Sequence, residues 1–339
     1  MEWRRNRVIG DTGLSAVGYS FGTTAIGGRH VYAEVGERDA IEAVHAAYEE
    51  GIRLFDTAPF YGLGVSEVRL GEAMVGLPRE DLVISSKVGR FLRPATRSAV
   101  ADPQAPIEAF FDYSYDSVLA QVEESLERLQ TDRLDIVFIH DPEWEPERLD
   151  TVKDEAYPAL ARLKEAGDIG AIGIGLGDNE IAVDLVEACD LDIVMIACRY
   201  TLADQSAADR LLPLCRHRGI SVFLAAPFNS GLLATGTRAD VLRYNHHPAT
   251  AEAIERVRRL EAVCDRFGVP LRAAALQFPL RSDAISTVVT GARTASEVRD
   301  NIHMLDFEIP EAFWSLLQDE GLVSEPTLAA SASSKGNQR

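Results

Sequence analysis

Arg216-His217-Arg218-Gly219-Ile220-Ser221-Val222-Phe223-Leu224-Ala225 carries the reading that decides the fold. A stretch with helical spacing, residues 207–218, stops at a glycine, and a short apolar run, 220–225, starts at once. Glycine after the last helical turn is a common way to end a helix. A run without polar alternation is a strand buried on both faces, as parallel sheets require. Working outward, the same unit repeats. Apolar runs occupy 17–22, 52–56, 82–87, 134–140, 170–175, 191–196, 220–225 and 285–290. Helical spacing fills 39–50, 66–74, 117–130, 151–166, 180–188, 207–218, 251–267 and 296–302, and Glu50-Gly51, Ala166-Gly167 and Phe267-Gly268 close helices as Arg218-Gly219 does.

Eight strand–helix units predict an α/β fold, a (β/α)8 TIM barrel, which typically takes about 250 residues before insertions. The excess is an N-terminal segment, a long loop after strand 3 (residues 90–115), and an extra helix near Leu271–Gln277. One barrel domain over residues 1–324 and a disordered tail over 325–339, small and polar, are expected. The competing doubly wound fold needs G-x-G-x-x-G after its first strand. The nearest cluster, Gly173-Ile174-Gly175-Leu176-Gly177, lacks the third glycine in place and follows the fifth strand.

Composition narrows the function. The 339 residues are 46% hydrophobic and 26% charged, and 34 basic against 53 acidic side chains leave −19. That charge repels nucleic acid and anionic lipid, so neither is an expected partner. There is no apolar run of about 18 residues for a membrane span, and the basic start leads into no signal-peptide core. Cys189, Cys198, Cys215 and Cys264 form no C-x-x-C pair and read as reduced core residues of a cytoplasmic protein. His246-His247 reads as a solvated loop, and no metal site is expected.

Barrel chemistry occurs at the carboxyl ends of the strands. Three runs end in polar groups there: Asp56 on the second, Lys87 on the third and His140 on the fourth. Each alone has a bland explanation as turn cap, solvated amine or polar network. Together they converge on one side of one mouth. Tyr61, on the turn-rich loop after Asp56, adds a phenol whose reference pKa is about 10. A neighbouring ammonium, kept charged by a carboxylate, is expected to lower it. A proton shuttle with neither nucleophile nor metal suits reactions whose second component comes from a cofactor, hydride transfer above all. Metal-assisted hydrolysis or isomerisation by Asp56, His140 and Asp141 is a weaker alternative, because Lys87 competes for the space. A non-catalytic nucleotide-binding barrel is the alternative of another class.

These residues sit in motifs that resemble the aldo-keto reductase superfamily: Phe55-Asp56-Thr57-Ala58 with Tyr61-Gly62, Ser85-Ser86-Lys87-Val88-Gly89, His140-Asp141-Pro142, Ala226-Pro227-Phe228-Asn229-Ser230-Gly231-Leu232-Leu233, and Thr290-Gly291-Ala292-Arg293 with Glu297 and Asn301. The resemblance spans roughly residues 8 to 305 and is nearest the sugar 1-dehydrogenase branch. It implies a catalytic tetrad of Asp56, Tyr61, Lys87 and His140, with Tyr61 as general acid/base. It also implies an extended nicotinamide cofactor held by Gly22, Thr23, Asp56, Tyr200, Pro227, Phe228, Asn229, Ser230, Gly231, Leu232, Gly291, Ala292, Arg293, Glu297 and Asn301. The expected reaction moves hydride between the C1 hemiacetal of an aldose (L-fucose or D-threo type, giving a lactone) and nicotinamide. Oxidation of pyridoxal at C4, or general aldehyde and ketone reduction, is the alternative. A carboxylate at Glu297 opposes a 2′-phosphate, favouring NAD over NADP, with Arg293 as counterweight.

The chain departs from the family where the carboxamide is usually held: Gly175 and Leu176 replace Ser-Asn, Ala197 replaces Gln, and Ala225 replaces the stacking aromatic. Tyr200, Arg199 or Asn179 are the available substitutes. Substrate contacts are expected from Tyr61, His140, His30, Trp144 and Phe91, beside other loop aromatics, Tyr32, Phe110, Phe111 and Tyr113.

Overall fold

The computed structural model describes residues 2–28, 35–94 and 106–324. Eight parallel strands close into a barrel: β1 (Tyr19–Gly22), β2 (Leu54–Asp56), β3 (Val83–Val88), β4 (Leu134–His140), β5 (Ile169–Leu176), β6 (Ile193–Ala197), β7 (Ser221–Ala225) and β8 (Ile285–Thr290). Each pairs with its neighbours in sequence, and β8 pairs with β1. The helices are α1 (Glu37–Glu49), α2 (Val65–Met74), α3 (Tyr115–Leu129), α4 (Tyr157–Ala166), α5 (Asn179–Ala188), α6 (Leu211–Arg218), α7 (Ala251–Phe267), α8 (Leu271–Gln277), α9 (Ala295–Asp306) and α10 (Glu311–Asp319). Gly219 ends α6 in the left-handed region, at φ 71°, as the opening stretch requires.

The largely apolar character of the strands follows from two cores. On β4, Ile136 and Phe138 point into the barrel with Leu54, Ile193, Met195 and Phe223. The alternate residues Val137 and Ile139 join the larger core under the helices. The period of two therefore carries His140 inward, one layer above Phe138.

Several elements differ from expectation. The long loop after strand 3 is, in its described limbs, an antiparallel hairpin of Arg90–Pro94 with Ile107–Phe111. The helix expected over 151–166 contains a π turn at Val152–Ala156 before α4, because Pro158 can donate no bond back to the preceding turn. The N-terminal segment pairs Arg7–Val8 with Ser15–Ala16, and fully buried Ile9 closes the amino end of the barrel. α10 places Phe313, Trp314 and Leu317 inside, with Phe313 edge-on to Phe267 of α7 at 5.8 Å. His30, Tyr32 and the tail 325–339 lie outside the described residues.

Candidate active site

The register explains the cluster at the carboxyl mouth. Asp56 pairs across to Ser85, and Lys87 lies two residues further along β3, on the same inner face. His140 ends β4 opposite Gly175. Asp56, Lys87 and His140 are 2%, 2% and 5% exposed. Lys87 Nζ donates to both carboxylate oxygens of Asp56 at 2.7 Å and to the Thr57 carbonyl at 2.8 Å. Ser85 Oγ adds a bond to Asp56 Oδ1 at 2.8 Å. The ammonium is thereby fixed on its carboxylate side.

Tyr61 comes in from the loop after β2 and is half-buried. That loop is pinned by Gly62 at φ 65°, where a Cβ would lie 1.7 Å from the Gly27 carbonyl oxygen; no other residue type fits. Lys87 Nζ lies 4.9 Å from the Tyr61 ring centroid, close enough for its charge to act on the phenol. The Tyr61 ring stands edge-on to His140 at 5.8 Å. So all four tetrad residues named from sequence meet at one point. Tyr113, by its hydroxyl bond to the His140 carbonyl at 2.9 Å, anchors the end of β4.

The electrostatics correct one expectation. The Tyr61 phenol is raised above its ordinary value, not lowered. Burial raises it most, Lys87 and a Thr24 hydrogen bond pull it down, and Asp56 and Asp141 push it up. The carboxylate that holds the lysine thus cancels part of the lysine's effect on the phenol. Lys87 itself stays protonated, because burial is outweighed by Asp56 and Tyr61. His140 is held well below 6.5 by burial, then by Lys87 and Arg90, and is a neutral imidazole. The arrangement offers a neutral phenol that can give a proton and a cation that can stabilise the phenolate left behind.

The remaining site residues fall into three places. In the loop after β7, Ala226, Asn229, Ser230 and Gly231 have φ of 53°, 45°, 58° and 101°. Consecutive left-handed residues turn backbone amides into a concavity suited to an anion. Asn229 is fully buried, and its Oδ1 has no hydrogen-bond partner. A second hairpin buttresses this loop: Asn229 Nδ2 donates to Asn245 Oδ1 at 2.8 Å and the His246 amide to Ser230 Oγ at 2.7 Å. Pro227 and Leu232 are buried beneath it, and Phe228 is partly exposed. After β8, Gly291 packs against Gly22, and Ala292 is buried. Arg293 and Glu297 pair with each other at 2.5 Å, Glu297 also accepting the Arg293 amide at 2.8 Å. These features fit a dinucleotide lying across β7, β8 and β1.

Other expected contacts are engaged within the protein. Thr23 is buried, its hydroxyl bonded to the Asp56 carbonyl and Ser66. Asn301 is held by Tyr19 and Arg272. Tyr200 stacks on Phe278 under α10 at 5.6 Å. Gly175 faces Lys87 with room to spare, whereas Leu176 turns into the outer core. Phe91 is buried beneath the Arg93 guanidinium, and Trp144 is 62% exposed on the rim. Sequence reasoning missed Ser85, which the period of two along β3 could have shown, and Arg90, for which no periodic signal exists.

Comparison with known proteins identifies the family. The Aldo/keto reductase family model matches residues 20–319. Pyridoxal 4-dehydrogenase of Microbacterium luteolum is 36% identical, covering 94% of this chain and 98% of its own. D-threo-aldose 1-dehydrogenase of a Pseudomonas species is 35% identical, covering 93% and 97%. Among solved structures, a holo aldo-keto reductase from Bacillus halodurans superposes with a TM-score of 0.76 at 23% identity, covering 96% of this chain and 99% of that one. With matches running nearly end to end, this oxidoreductase belongs to the aldo/keto reductase family.

Proposed function

We propose that this member is an aldose 1-dehydrogenase, acting on the C1 hemiacetal of a small sugar and yielding a lactone. The observation that carries it is the buried Lys87–Asp56 pair beneath the Tyr61 phenol, with neutral His140 at its side. When bound, the oxidised nicotinamide supplies the hydride acceptor. Tyr61 takes the C1 hydroxyl proton, Lys87 stabilises the phenolate form that can take it, and Asp56 keeps Lys87 in place. His140, uncharged, orients the substrate oxygen. The same residues serve carbonyl reduction, with Tyr61 as the donor.

The anion-shaped loop Pro227–Leu232 would take the pyrophosphate, and the stretch from Gly291 to Asn301 the adenosine end, near Gly22 and Thr23. The Arg293–Glu297 pair supports NAD over NADP, because a 2′-phosphate would have to displace the carboxylate from its own arginine. A sugar substrate is supported by the relative named for D-threo-aldose oxidation; the relative named for pyridoxal oxidation, with Phe60 and Phe111 at the rim, supports an aromatic aldehyde as second reading. Four buried free cysteines fit a reducing, cytoplasmic setting. Among the described residues no helix is long and apolar enough to cross a membrane.

The test is an absorbance screen at the reduced-nicotinamide band. Ordinary and 6-deoxy aldoses and pyridoxal are each offered with NAD and NADP. Turnover of an aldose with NAD is expected. Turnover of pyridoxal alone would favour the second reading.

A further inference from the structure

Beside the tetrad stands a charged pair that the proton chemistry does not use. Arg90, at the base of the insertion hairpin, meets Asp141 at 2.8 Å, with the side chains 12% and 22% exposed. The guanidinium lies between two rings, 3.9 Å from the Phe60 centroid and 4.8 Å from that of Phe111. Its Nε is buried without a hydrogen-bond partner. The Asp141 carboxylate is 3.5 Å from His140 Nε2.

The backbone at Asp141 marks the pair as more than packing. It adopts φ 49° although it is not glycine and precedes Pro142. Such strain persists where the surroundings impose it, and it gathers at functional sites. A largely desolvated ion pair adds little to stability, because removing both charges from water offsets their attraction. Its chemistry is more informative. A guanidinium fork and a carboxylate, next to the imidazole that faces the reacting oxygen, present donors and acceptors side by side. A vicinal hydroxyl, which both donates and accepts, needs both. A simple aldehyde needs neither.

We propose that Asp141 and Arg90 bind the hydroxyl on the carbon adjacent to the reacting carbon, selecting α-hydroxylated substrates over plain aldehydes. This inference rests on the reading of the mouth as the hydride-transfer site.

The experiment compares kcat/KM for an aldose and its 2-deoxy analogue in the wild type, Asp141→Gly and Arg90→Met. Glycine suits the left-handed backbone at 141, and methionine retains part of the packing between Phe60 and Phe111, so both variants are expected to fold. The wild type is expected to prefer the parent sugar by roughly tenfold or more. In both variants that ratio falls towards one, chiefly through a raised KM for the parent. A change acting only through His140 would slow both sugars alike and leave the ratio intact. An unchanged ratio in the two variants, or no preference in a wild type that turns over aldoses, overturns the inference while leaving the dehydrogenase reading in place. A wild type that oxidises no aldose with either nucleotide overturns both.

Discussion

At the scale of single residues, the site depends on which groups carry protons at neutral pH. Oxidation needs Tyr61 as phenolate, and burial, only partly opposed by Lys87, holds the phenol above its ordinary 10. We therefore predict that kcat/KM for oxidation rises with pH across 7 to 9 at close to tenfold per unit, whereas reduction, served by the protonated phenol, shows no such climb. Because His140 is neutral well above its own pKa, a limb near 6.5 in either direction would contradict this assignment. Glu143 gives a separate pH signature. Its carboxyl is pushed up to about 7, first by burial and then by Asp141, while its Oε1 accepts the Gly177 amide at 2.6 Å. The folded chain then holds a proton that the unfolded chain releases near 4.5, so stability declines as pH rises from about 4.5 to 7. Glu143→Gln should flatten that part of a plot of Tm against pH. Identical slopes for variant and wild type would refute it. Asp56, Lys87 and His140 were legible in sequence because each ends an apolar run. The direction of the Tyr61 shift was not, because desolvation depends on what covers the ring.

At the scale of elements, β3 and the start of α9 do most to shape the site. Along β3 the period of two aligns Ser85 and Lys87 on the inner face, so the lysine and the serine that helps hold its carboxylate come from one strand. At the first turn of α9, Thr294 accepts the Glu297 amide at 3.2 Å, and Glu297 returns to Arg293. Thr294 caps the helix, and the acid occupies the arginine. Glu297→Lys should free Arg293 and add a second cation, shifting the NADPH-to-NADH affinity ratio towards NADPH by about tenfold or more. Fluorescence titration of each reduced nucleotide measures it, and an unchanged ratio would place Glu297 outside the adenosine site. The glycine-closed ends of the helices, and α7 and α8 throughout, were readable to within a residue or two. The insertion hairpin was not, since Arg90–Pro94 and Ile107–Phe111 show no clean alternation of buried and exposed positions.

At the scale of the whole molecule, the barrel separates a stabilising end from a reacting end. Ile9 and Ala16 seal the amino end against Leu54, Ile136 and Ile193, and Phe138 meets Phe223 at 6.0 Å in mid-barrel. The polar layer lies above them. Ile9→Ala should therefore cost about 2–4 kcal/mol, read by urea unfolding, with little change in dinucleotide affinity. A loss below about 1 kcal/mol would mean that the plug contributes little to the core. The eight strands were legible because burial on both faces leaves predominantly apolar runs. The plug was not, because two-residue strands such as Arg7–Val8 leave no periodicity to detect.

The central claim is that the Tyr61 phenol moves the proton while a neighbouring lysine stabilises its ionised form. The most direct measurement is single-turnover oxidation of a competent aldose by Tyr61→Phe, paired with a fluorescence titration of reduced dinucleotide. The prediction is a loss of several orders of magnitude in rate with dinucleotide affinity within about twofold of wild type. A variant that turns over at the wild-type rate would contradict the claim outright.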